Sequence, residues 1–191
     1  MNRKQALSIY LLGTFSQLLL VSLLVWFLRA GRMKVDFTST IGIIAIVLGG
    51  LSSAFWGSLA SIGYHQSSLK KLLKDFFQVK DSLANYSLVL VFLSLEFMPF
   101  IFDGKIIMQS WFLPVALFFK ALLFGGVEEI GWRYFFQPTL QEKIPYLSAT
   151  LITFLAWSSW HLFYFYIEGS LGVIQLLPFL VGLLTNCFIL S

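Results

Sequence analysis

The sequence predicts an all-α, polytopic transmembrane helix bundle of about six spans, and three observations carry that prediction. Of the 191 residues, 58% are hydrophobic and only 12% are charged, well under the roughly 25% charged residues of an ordinary soluble domain. Mean hydropathy is +0.84, so most of the chain requires lipid rather than water as its solvent. The apolar residues also fall into long runs separated by short clusters of Lys, Arg, Asp and Glu. The 21 Phe, 6 Trp and 7 Tyr agree with this class, most as bulk and some as rings placed at headgroup level.

The first span runs from about Ala6 to Leu28 and is closed by Arg29, Arg32 and Lys34, whose side chains reach headgroups. Arg3 and Lys4 precede it as they would a signal peptide, but its length and the absence of a small-residue cleavage site make it a retained helix. A second span, from about Phe37 to Gly63, contains Gly49, Ser53, Gly57 and Ser61. Their spacing of four puts them on one face, which is expected to touch another helix closely. The polar segment from Tyr64 to about Asn85 sets Lys70, Lys71, Lys74 and Lys80 against Asp75 and Asp81, and its centre reads as an amphipathic surface helix.

A third span covers about Tyr86 to Phe102, interrupted by Glu96 and Pro99, and Asp103-Gly104-Lys105 makes a turn. A fourth begins near Trp111 and is expected to end at Gln137, because Pro138 disfavours helical geometry in the residue before it. A fifth extends from about Tyr146 to Ile167 and is closed by Glu168-Gly169-Ser170, and a sixth starts near Leu171. Residues 1–191 read as a single integral membrane domain without repeats or a soluble linker.

The net charge of +4 comes from basic residues in the loops, so it acts as a topology signal rather than as a nucleic-acid surface, and no nucleic-acid partner is expected. With the amino terminus inside, that side receives Arg3, Lys4, the four loop lysines, Arg133 and Lys143. The other side receives Arg29, Arg32, Lys34 and Lys105, a bias that favours an inside amino terminus. The single Cys187 allows no disulfide within the chain and no paired-cysteine metal motif.

The segment Gly125-Gly126-Val127-Glu128-Glu129-Ile130-Gly131-Trp132-Arg133 places two carboxylates and an arginine inside an apolar helix. Insertion charges roughly 2.5–3.5 kcal/mol for each such group near a helix centre, so three together mark a functional site. On a regular helix Glu129 lies about 40° from Arg133 and Glu128 about 140° from it, so Glu129 is expected to pair and Glu128 to face a cavity. A carboxylate held in a partly dry cavity gains proton affinity and suits the role of general base for a water, and Glu128 is that candidate. On the next span, Phe154-Leu155-Ala156-Trp157-Ser158-Ser159-Trp160-His161 carries the one histidine within a span. A lone His on an aromatic helix is most often a packing residue, and a facing Glu pair shifts the balance toward catalysis. Lys120 reads as a snorkelling residue or the partner of an acid such as Glu96, and Gly125 and Gly126 either as positions that admit close backbone approach beside the Glu pair or as packing glycines of a membrane helix.

These two segments, in this order, resemble the CPBP intramembrane endopeptidases, the family of CAAX prenyl proteases and of bacteriocin-processing and bacteriocin-immunity proteins. Its EExxxR motif is met by Glu128, Glu129 and Arg133, and its FxxxH motif by His161 with Trp157 in the aromatic position. The resemblance covers about Trp111 to Ser191. It implies hydrolysis of a peptide or membrane-protein substrate within the bilayer, with Glu128 and His161 preparing the water. It also implies that Glu129 and Arg133 brace the site or steer a substrate carboxylate. The family has been described both as metalloproteases and as metal-independent glutamate proteases, so the implied cofactor is a divalent metal such as zinc or none. Glu128 and His161 would be its ligands.

The family's third motif, a later His followed four positions on by Asn or Asp, has no counterpart: His65 lies far upstream and reads as a solvated loop residue, and the position four before Asn186 is Gly182. Two ligands fall short of the three that a catalytic zinc ordinarily takes. The last span stops at Phe188-Ile189-Leu190-Ser191 without a basic or aromatic flank. The expectation is therefore a chain cut short of the family fold that does not catalyse proteolysis by itself. Two other functions compete: a non-catalytic membrane scaffold or immunity partner with the same fold, and a transporter using Glu96, Lys120 and the Glu pair as a proton path.

Overall fold

The computed structural model describes residues 1–77, 82–88, 90, 91, 94 and 125–189. Among them there is no β-strand, and the architecture is an all-helical membrane bundle as expected. The expectations placed on Lys80, Asp81, Glu96, Pro99, Asp103 to Lys105, the Trp111 helix start, Lys120, Leu190 and Ser191 lie outside the described residues.

Helix α1 (Arg3–Ala30) opens on an Asn2 cap, whose side chain accepts from the Gln5 N–H while the Gln5 side chain accepts from the Asn2 N–H. This reciprocal pair satisfies two of the donors a helix start leaves open. Helices α2 (Thr40–Gly50) and α3 (Ser52–His65) follow, with Ser39 capping the first by accepting from the Gly42 N–H. The sequence pattern predicts one uninterrupted span here; the structure instead breaks it at Leu51, which starts a fresh turn. Taken together, Thr40–His65 is long and apolar enough to cross a bilayer, as is Arg3–Ala30.

The small-residue face of the second span is wholly used inside the chain. Gly49, Ser53, Gly57 and Ser61 are all buried. A Cβ at Gly49 would sit 2.8 Å from Ile167 Cδ1, and one at Gly57 would sit 2.5 Å from Gly131 Cα. Close packing is what the stripe supplies, and no part of it is left to receive another protein.

Helix α4 (Leu69–Phe77) realises the predicted amphipathic segment, with Leu72 buried in one cluster with Ala54 and Ile130. The helix carrying the carboxylates is composite: α5 (Val127–Glu129), π-helical turns over Ile130–Phe136, and α6 (Gln137–Gln141). Contrary to the sequence reading, it does not stop at Gln137. Pro138 falls in the first turn of α6, where a missing N–H and a fixed φ are tolerated. Helix α7 (Tyr146–Glu168) ends on Gly169, whose φ of 92° provides the left-handed cap. Helix α8 (Leu176–Ile189) starts five residues later than Leu171, after a turn.

Contacts between ends give the bundle two distinct poles. At one, Arg3 Nη1 donates to the Thr139 carbonyl at 3.2 Å and the Tyr64 hydroxyl donates to Glu142 Oε2 at 2.6 Å. At the other, Arg29 closes the last turn of α7: its Nη1 donates to the Tyr166 carbonyl at 2.8 Å and its Nη2 to the Ile167 carbonyl at 3.0 Å. Nη2 also donates to the Val35 carbonyl at 2.8 Å, which ties in the turn before α2. The Tyr166 and Ile167 carbonyls belong to a helix end and would otherwise lack donors.

Candidate active site

The carboxylate helix is seated on α1 and α3 by a short chain of hydroxyls. Tyr10 and Ser53, both fully buried, share a hydrogen bond of 2.9 Å, and Ser53 Oγ donates to the Glu128 carbonyl at 3.0 Å. Directly after Glu128, the chain passes so near α3 that only glycine fits at Gly131. A Cβ there would run into the Ser53 side chain and lie 2.5 Å from the Ser53 carbonyl oxygen and 2.7 Å from the Tyr10 hydroxyl. The fold thus fixes the backbone beneath Glu128 from two helices at once. The π turns begin immediately after this anchor, a distortion often found at functional sites.

Of the four site residues singled out in the sequence, Glu128, Glu129 and His161 line one cavity of about 430 Å³ together with Trp157, while Arg133 is outside its lining and pairs with Glu129. Among the described residues its remaining wall comes from Gly125 and from the α8 residues Pro178, Phe179, Gly182, Leu183 and Asn186. Glu128 is 6% exposed and lines this cavity.

Glu129 pairs with Arg133 as the i,i+4 spacing predicts, Nε to Oε2 at 3.5 Å. Arg133 is otherwise committed to protein: Nη1 donates to Gln137 Oε1 at 2.7 Å, Nη2 to Cys187 Sγ at 3.4 Å, and its guanidinium lies 4.7 Å from the centre of the Trp157 ring. Gln137 passes the connection on by donating to Thr150 Oγ1 on α7 at 3.0 Å. Of the two roles implied for Arg133, bracing the site is therefore the one its contacts support.

The aromatic position four before the histidine does two jobs. The Trp157 ring receives Arg133, which joins the two motifs through a cation–π contact. Its carbonyl lies 2.9 Å from His161 Nδ1. A carbonyl only accepts, so Nδ1 carries the hydrogen and the neutral ring turns its Nε2 lone pair outward. His161 is otherwise wedged among rings, with Trp157, Trp160, Phe165 and Phe179 all within 5.6 Å between centroids. His65 is exposed at the end of α3, its ring against Tyr64, and does not line the cavity.

Among the described residues no three of His, Cys, Asp and Glu come together as a metal-binding group. Glu128 and His161 give two donors, Glu129 being held by Arg133. This set is one short of a catalytic zinc site, and no step is routed through a metal below.

Residues 109–190 match the family model described as type II CAAX prenyl endopeptidase Rce1-like. Over these residues, less than half of its length, the chain resembles the CAAX-type proteases. It is also similar to CAAX prenyl protease 2 of Methanococcus maripaludis, at 29% identity over 185 residues. That similarity covers 85% of this chain and 64% of the relative, so the chain spans under two thirds of the curated relative's length. No solved structure matches.

The sequence reading missed Tyr10, Ser53, Gln137 and Asn186. Ser53 belonged to the small-residue stripe, which signalled packing but not what it packs against. Asn186 was set aside because no histidine precedes it by four; in the fold, Gly182 and Asn186 both line the cavity.

Proposed function

We propose that this chain belongs to an intramembrane endopeptidase of CAAX-protease type, with its chemistry centred on Glu128 and His161. The observation that supports this best is that both side chains line one cavity while the Trp157 carbonyl holds His161 with Nε2 turned away from it. In the proposed reaction a water lies between the Glu128 carboxylate and His161 Nε2. Glu128 takes one proton as the water oxygen adds to the scissile carbonyl carbon, and later returns it to the departing amine nitrogen. His161 Nε2 accepts a hydrogen bond from the water's other O–H, which stays on the oxygen, and so aims the attacking lone pair. The amide of Asn186, on the facing wall, is the described side chain suited to donate to the oxygen on which charge develops, a contribution commonly worth about 3 kcal/mol. Glu129 and Arg133 hold the two motif helices in register. A divalent ion such as zinc, if used, would take Glu128 and His161 as this chain's ligands and would supply Lewis-acid activation of the water.

The substrate class follows from the wall chemistry. Pro178, Phe179 and Leu183 make one side of the cavity apolar, which suits a peptide or membrane-protein segment arriving from the bilayer. The amino terminus is proposed to be cytoplasmic, supported by the pole that gathers Arg3 and the turn carrying Lys143.

Glu128→Gln and His161→Ala, made in the full gene product and reconstituted in vesicles, test the reading. Each is expected to lower peptide cleavage by about 10²–10⁴-fold with helical content unchanged. Cleavage at the parent rate in both variants would leave the non-catalytic scaffold as the better description.

A further inference from the structure

Helix α4 takes no part in this chemistry, yet its surface is divided in an unusual way. Successive helical residues are about 100° apart. Placing Leu69 at the origin puts Leu69, Leu73 and Phe77 within an arc of about 80°, and these three are 55%, 43% and 72% exposed. The next arc holds Lys70, Lys71 and Lys74, all exposed. Leu72 and Phe76 flank the apolar arc on its other side, at about 300° and 340°, and there the protein covers the helix: Leu72 is 1% exposed within the cluster that contains Ala54 and Ile130.

The protein thus covers one side of α4 and leaves an apolar row beside a cationic row uncovered. None of the three lysines is in an ion pair among the described residues. The one acid of the helix, Asp75, is half-buried and accepts from the Tyr134 hydroxyl at 3.1 Å. In a membrane protein an apolar strip bordered by lysines is the surface of a helix lying at the boundary between acyl chains and headgroups. Positive side chains at that depth meet phosphate groups of lipid before any other anion.

We propose that α4 is an interfacial helix whose Lys70, Lys71 and Lys74 bind the headgroups of anionic phospholipids while Leu69, Leu73 and Phe77 enter the acyl boundary. Leu72 against Ile130 and Asp75 against Tyr134 connect this lipid contact to the π-helical turns behind Glu128. The binding itself does not depend on what the chain cleaves.

The test uses the full chain in vesicles of phosphatidylcholine alone or with about 30% phosphatidylglycerol, a fraction that makes the surface strongly anionic. A nitroxide on Leu73→Cys reports depth by its relative collision with oxygen and with a water-soluble nickel chelate. The parent chain, whose Cys187 is buried, gives the labelling background. The expected result is a label reached by oxygen and shielded from the chelate in the anionic vesicles. Phosphatidylglycerol retained through detergent purification should fall on the order of 100-fold when all three lysines are changed to Gln, and return when they are changed to Arg. It should fall likewise for the parent chain between washes of about 0.1 M and about 1 M salt. A label open to the chelate in anionic vesicles overturns the proposal, as does lipid retention indifferent to salt. Should the Gln variant misfold, the salt series and the depth measurement on otherwise parental protein still decide.

Discussion

Replacing Gly57 by alanine strikes the point where α3 meets the helix carrying Glu128 and Glu129, and its effect follows from one distance. The new Cβ would lie 2.5 Å from Gly131 Cα, about 0.9 Å short of the 3.4 Å at which contact becomes ordinary. The obstructing atom is backbone, and Gly131 is itself pinned by Ser53 and Tyr10, so the two helices must separate. Overpacking of this kind costs about 1–3 kcal/mol, and the helical preference of alanine over glycine returns about 0.5–1 kcal/mol. A net loss of roughly 0.5–2 kcal/mol is expected, read as a lower midpoint of thermal unfolding in detergent. If Glu128 acts as proposed, cleavage should suffer more than stability, because displacing a reacting carboxylate by about 1 Å can cost about 10²-fold in rate. Gly172→Ala, where nothing lies within 4 Å of the new Cβ, serves as the control. A Gly57→Ala protein with the parent's melting midpoint and cleavage rate would refute the claim that this contact sets the position of Glu128.

Ser53→Ala leaves the Tyr10 hydroxyl and the Glu128 carbonyl without their buried partner and should cost about 1–3 kcal/mol, measured by denaturation; Tyr10→Phe, which removes only the outer member, should cost less. Arg29→Ala strips donors from the Tyr166, Ile167 and Val35 carbonyls and should raise amide hydrogen exchange over the last turn of α7, with protection equal to the parent's counting against the capping role. Trp157→Phe keeps the carbonyl that orients His161 but weakens the seat of Arg133; cleavage should fall by about fivefold, the loss of roughly 1 kcal/mol expected for one cation–π contact, and not to the level of His161→Ala. In the turn before α2, hydrogen bonds from the Thr38 hydroxyl and backbone N–H hold Asp36 below the ordinary carboxylate value of 3.8. A depressed value means the turn is supported at neutral pH and loosens as pH falls through and below that range; exchange at the Thr38 amide should show this, and Asp36→Asn should abolish the pH dependence.

The sequence alone determined the solvent, the fold class and the chemical parts. Composition excludes a soluble domain, since 12% charge cannot cover so much apolar surface. The spacing of Glu129 and Arg133 predicts their pairing, because residues four apart share a helix face whatever surrounds them. The small-residue stripe foretold a close approach for the same local reason. The Asn2 and Ser39 caps rest on chemistry confined to a few neighbouring residues, yet the sequence reading did not use them.

Tertiary structure decided which partners those local signals meet. That Gly57 faces Gly131, that Ser53 holds the Glu128 carbonyl, and that Gln137 reaches Thr150 are contacts between helices far apart in the chain, and no periodicity encodes a partner. The π turns after Glu129 and the passage of the helix through Pro138 also escape a pattern that assumes uniform α geometry. Asn186 shows the limit most plainly. Its motif context argued against a role, and only the packing of α8 against α7 brings it to the cavity shared by Glu128 and His161. Local spacing fixes which face of a helix a side chain occupies; where that face points is settled by how the whole bundle buries its surfaces together.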